Sequence, residues 1–149
     1  VSRGISVPAS EPRIFRALAA VSVASLLPGA GRPGTRVARL AIDLLRIPTG
    51  DAPFVVLLRH GFVIVASDPL REVRMARALS RLRVETGITV APAAPAAVSA
   101  ASVVTASLQL AAGGLVPRLV ALAAWPLIRR PVSASLERWL AAVGVQALT

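Results

Sequence analysis

His60 is the single imidazole in a chain that has no cysteine and whose 17 basic residues are all arginine. Nucleophilic and metal chemistry therefore have few atoms to work with. Asp51 and Asp68 lie near His60 in sequence and serines are plentiful, so the residue types of a Ser-His-Asp set are present. The Gly-x-Ser-x-Gly elbow that would expose such a serine is absent. Without cysteine there is no thiolate nucleophile and no disulfide framework, and the redox compartment stays open. One imidazole does not make a zinc site, which needs three or four protein ligands. The expectation is no catalytic set, no metal and no cofactor, with His60 in a hairpin or at the surface.

Arg59-His60-Gly61, directly after the apolar Phe54–Leu58 run, resembles the Arg-His-Gly motif of the histidine phosphatases, where a strand delivers a nucleophilic histidine. That family also uses a second histidine, which this chain lacks. Residues 57–78 resemble the strand, His-Gly turn, strand and helix near the end of class II aldolases. Those enzymes bind zinc through several histidines. Neither resemblance is complete enough to imply its activity.

Anion binding has two candidates. The segment from Leu27 to Gly34 realises a Gly-x-Gly-x-x-Gly spacing at Gly29, Gly31 and Gly34, but no strand leads into it and the Lys-Ser/Thr end of a phosphate loop is missing. It reads as an interhelical turn. The second candidate is a helix predicted from Ser67-Asp68-Pro69 to about Glu85, on which Arg71, Arg74, Arg77 and Arg81 fall within a sector of about 120°. Met75, Leu79 and Leu82 take the other side. Such a stripe would offer its charges to lipid or nucleic-acid phosphates, and Glu72 and Glu85 partly offset it. No aromatic residue accompanies it to stack on bases.

Charge and hydropathy frame these candidates. A net charge of +10 favours an anionic partner. The absence of lysine, asparagine, tyrosine and cysteine beside abundant alanine and arginine follows GC-rich coding and carries no functional weight. With 55% hydrophobic residues, 3% aromatic residues and a mean hydropathy of +0.70, the chain is more apolar than soluble domains usually are. Membrane contact or burial against a partner follows as an expectation.

The remaining elements read as follows. Residues 1–12 are a tail, and an apolar helix runs from Arg13 to Leu27. Arg3, Arg13 and Arg16 before that apolar run resemble a targeting segment, but Ser22 and Ser25 interrupt it. Thr35 caps a helix with Val37, Leu40, Ala41 and Leu44 on its apolar face and Arg36, Arg39, Asp43 and Arg46 opposite. Phe54–Leu58 and Phe62–Ala66 are predicted strands joined by Arg59-His60-Gly61, and Ile88–Ala91 is a third strand. Ala91–Pro95 is a stiff linker, and Ala96–Val116 is predicted as a 21-residue uncharged helix, with Ser99, Ser102, Ala106, Gln109 and Gly113 along one face. Leu119–Ile128 is a further apolar stretch, with Trp125 and Arg129-Arg130 resembling an interfacial belt. Ser133 caps a last helix from Ala134 to Val143, which Gly144 stops.

These elements imply an α+β fold: a small αββαβ-like unit followed by an apolar helical C-terminal region. The expected units are 1–34 (tail and N-terminal helix), 35–91 (amphipathic unit) and 92–149 (apolar region, a membrane or subunit anchor). The functional expectation is a non-catalytic, basic, structural or scaffolding subunit at a membrane or in a larger assembly. Its partners would be anionic lipid or protein; nucleic acid ranks lower, and no small-molecule ligand is implied. The alternative is a soluble α/β binding module or the remnant of an enzyme domain.

Overall fold

The computed structural model describes residues 1–27, 35–93 and 101–149; the backbone is described at Val37, Ala38 and Ala41 but their side chains are not. The glycine-rich Pro28–Gly34 turn and part of the Ala91–Pro95 linker lie outside these residues. The architecture is α+β, with five antiparallel strands and a long C-terminal helix.

The chain begins as strand β1 (Ser2–Val7), not a tail, and continues through α1 (Glu11–Ala20) and a short 3-10 turn (Val23–Leu26). Helices α2 (Thr35–Leu45) and α3 (Pro53–Arg59) follow. A meander of β2 (Val63–Asp68), β3 (Glu72–Leu79), β4 (Leu82–Pro92) and β5 (Ser102–Ala112) leads to α4 (Leu115–Leu148). The strand order is β1-β5-β4-β3-β2, so the first and last strands of the chain are neighbours. The sheet thus draws on all three stretches, 1–34, 35–91 and 92–149.

Residues paired across a ladder share a face. Val7, Ile88, Val90, Val104 and Ala106 lie on the inner face and are buried. Ile14, Ala17 and Leu18 of α1 close over them, at the i, i+3, i+4 spacing of a one-sided helix, together with Trp139, Leu140, Val143 and Ala147 of α4. The outer face carries Ser2, Gly4, Ser6, Thr89, Thr105, Ser107 and Gln109, residues suited to water.

Four expectations are corrected. Phe54–Leu58 is helix α3, because Pro53 opens a helical turn and Val56 alone of the run turns fully inward. The predicted 67–85 helix is the β2–β3–β4 hairpin pair, whose tight turn at Ser80-Arg81 joins Leu79 to its partner Leu82. Ala96–Val116 is not one helix, since Ser102–Ala112 form the interior strand β5, held by β1 on one side and β4 on the other. The separate Leu119–Ile128 stretch and Ala134–Val143 helix, with its stop at Gly144, merge into the single 34-residue α4. Pro126 and Pro131 remove the bonds to the Leu122 and Leu127 carbonyls, but all four residues are exposed, so water can take the donors' place. Gly144 continues the helix because α4 crosses β1 there. A Cβ at that position would stand 3.3 Å from Ile5 Cδ1 and 3.7 Å from Val7 Cγ2.

Candidate functional site: an apolar cavity between the sheet and the last helix

Toward β3 and α3 the inner layer is incompletely filled, and a cavity of about 270 Å³ remains. Its floor is the sheet, at Thr86, Gly87 and Ile88 of β4 and Ala106 and Leu108 of β5. Val23 and Leu26 of the 3-10 turn form one wall, and Phe54, Val56 and Leu57 of α3 form another. Leu136 and Trp139 of α4 close it, with Ile47, Pro53 and Phe62 at its margins.

Local chemistry fixes these walls. The backbone N–H groups of Val23 and Ala24 donate to the carbonyls of Asp51 and Thr49 at 2.9 and 3.1 Å, which ties the 3-10 turn to the loop ahead of α3. Arg138 donates from Nη2 to the Leu26 carbonyl and to Ser135 Oγ, each at 2.9 Å, and so joins α4 to the same turn. Arg59 pairs with Asp51 across α3 at 2.6 Å. The Phe54 ring meets Trp139 edge-on, with centroids 6.5 Å apart and planes at 72°. Gly61, at φ +83°, lets the chain reverse from α3 into β2.

Two side chains on this wall carry polar hydrogen-bonding atoms. Thr86 Oγ1 donates to the Ser107 carbonyl at 3.0 Å. Trp139 Nε1 is buried and has no partner among the described residues. A buried donor left unmatched costs about 1–3 kcal/mol. Among the described residues the wall holds no carboxylate, imidazole, amine or thiol.

His60 is the C-terminal cap of α3, and its contribution is its carbonyl, which accepts from Arg77 Nη1. Its ring has no hydrogen bond to Asp51, Asp68 or a serine among the described residues. Among those residues no three potential ligands gather around a metal position.

The arginine stripe dissolves once its helix becomes a hairpin. Arg71 sits in the β2–β3 turn and Arg81 in the β3–β4 turn. Arg74 and Arg77 are three apart on one strand and point to opposite sides of the sheet. Arg74 joins an outer-face row with Glu72 at 2.8 Å and Glu85 at 3.5 Å, and Arg83 completes it with Glu85 at 3.4 Å. Arg77 turns inward to the His60 carbonyl.

The sequence carried no motif for the cavity. Its signal was diffuse: small or β-branched residues alternating along β5 opposite a tryptophan in α4. No known family matches the chain, and no curated protein resembles it significantly. The chain is loosely similar to the crystal structure of TTHA0849 from Thermus thermophilus, with a TM-score of 0.41 and 11% identity over 99% of this chain and 96% of that one. The functional reading rests on this chain's own geometry.

Proposed function

We propose that this protein is a binding module for a small, largely apolar molecule bearing one hydrogen-bond acceptor, held in the cavity between the sheet and α4. The observation that carries this reading is an apolar chamber bounded by the sheet, the 3-10 turn, α3 and α4, with Trp139 on its wall, whose buried Nε1–H has no partner among the described residues. Ligand sites are concave and mostly apolar, with a few polar groups that set orientation, and a chamber of this size suits about a dozen non-hydrogen atoms. Among the described residues the wall offers apolar contact and no acid, base or strong nucleophile, which supports a holding role. The module alternative is thereby preferred to scaffolding.

Calorimetry with indane and 1-indanone tests it. Both ligands are expected to bind, with the ketone favoured by about tenfold, the scale of one buried hydrogen bond. Trp139→Phe should retain indane and lose the preference. Leu57→Trp should fill the chamber and abolish both, while His60→Ala should change neither. Failure of both ligands to bind the folded protein overturns the reading.

A further inference from the structure

The first half of α4, Leu115 to Pro131, projects past the core with its apolar side uncovered. Leu127 is 79% exposed, Leu115 74% and Leu122 71%, and Val116, Leu119 and Val120 are also open. At 100° per residue these six span a face of about 160° and a length of roughly 18 Å. The opposite side, with Ala121 and Trp125, turns toward the end of β5. This is a continuous apolar face, unlike the scattered single residues of ordinary surfaces.

Charge selects its occupant. From Leu115 to Leu136 there is no acidic residue, while Arg129-Arg130 stand at one end and Arg118, whose Nε donates to the Ala112 carbonyl at 3.3 Å, near the other. None of the three has a carboxylate partner among the described residues. The whole chain carries +10, so a second copy would bring like charge against like. A sheet of anionic headgroups over hydrocarbon satisfies both the leucines and the arginines. Among the described residues no helix is long and apolar enough to cross a membrane, and this half-helix fits lying along one.

We infer that the exposed face of α4 between Leu115 and Ile128 docks the protein on an anionic lipid bilayer, apolar side inserted and Arg129 and Arg130 at the phosphates. This does not rest on the cavity having a ligand.

Flotation with phosphatidylcholine vesicles, with and without phosphatidylglycerol, tests it on the full chain. Wild type is expected to float with the mixed vesicles and to be released by salt. Leu119→Glu/Leu127→Glu should weaken that binding by about tenfold or more with circular dichroism unchanged. Arg129→Glu/Arg130→Glu should weaken it by about tenfold, and Arg13→Glu/Arg16→Glu, the same charge change on α1, by much less. Three results would each overturn the assignment: no flotation of the wild type, flotation indifferent to the leucine changes, or a vesicle-free dimer that the leucine changes abolish, which would give the face to a second copy.

Discussion

Ser102 shows how much of this core depends on single groups: it is 4% exposed, and its hydroxyl donates to the Ala9 carbonyl at 3.0 Å, joining β5 to the β1–α1 connection. Ser102→Ala would leave a buried carbonyl unmatched, and the expected loss is about 1–2 kcal/mol in urea unfolding, with the slope unchanged. Single residues were also where the sequence was least readable. Ser102 looks like part of a small-residue helix stripe until its partners Val7 and Pro92 are known. Arg71, Arg74, Arg77 and Arg81 fit a helical period by spacing, yet the same numbers place Arg74 and Arg77 on opposite faces of a strand. Trp139 is a packing residue of the core, and its unmatched N–H follows from three-dimensional neighbours and has no trace in the linear order.

Among the elements, α2 was legible because Thr35, a following amphipathic pattern and Pro48 bracket it; Leu40 and Leu44 of its apolar face nonetheless stand in solvent. The residues of β5 did carry a period of two, Leu108 and Leu110 alternating with Ser107, Gln109 and Ala111, but alanine and the lack of charge gave it a helical look. Helix α4 hid behind its prolines, each of which costs a helix interior about 3 kcal/mol or more and so reads as a stop in the linear sequence. Its junction with β1 is the tightest part of the element. Gly144→Leu is expected to push α4 away from Ile5 and Val7 and to lower stability by about 1–3 kcal/mol. Thermal unfolding followed by circular dichroism measures this, and an unchanged melting temperature would mean that the helix does not approach β1 so closely.

For the molecule as a whole, one face of the sheet is covered, and among the described residues its two edges, β1 and β2, have no further strand beside them. The β2 edge is apolar, with Val63, Ile64 and Val65 exposed beside a register shift between Ile64 and Ala66. An edge of this kind invites pairing with other chains, and the net charge of +10 opposes it. Raising ionic strength from ~0.01 M to ~1 M shortens the screening length about tenfold, so light scattering is expected to rise with salt. Ile64→Lys should flatten that rise. The α+β class followed from a mixture of helical and strand patterns, although Phe54–Leu58 and residues 67–85 exchanged roles, whereas the cavity required knowing that β4, β5, α3 and α4 meet.

The pairing of β1 with β5 has a consequence in time. Ser2 lies opposite Ser107 and Val7 opposite Ser102, so the outermost ladder joins segments about a hundred positions apart in the chain. The β2–β3–β4 hairpins can close early through local contacts, but β1 has no partner until β5 has been synthesised, and α1 no complete floor until α4 follows. Loops of that span cost entropy before any contact repays it, and topologies dominated by them fold slowly. A nascent chain halted before Ser102 would therefore hold its first strand unpaired and its future interior open, which makes the passage from β4 to β5 the interval in which this protein most depends on being shielded from its neighbours.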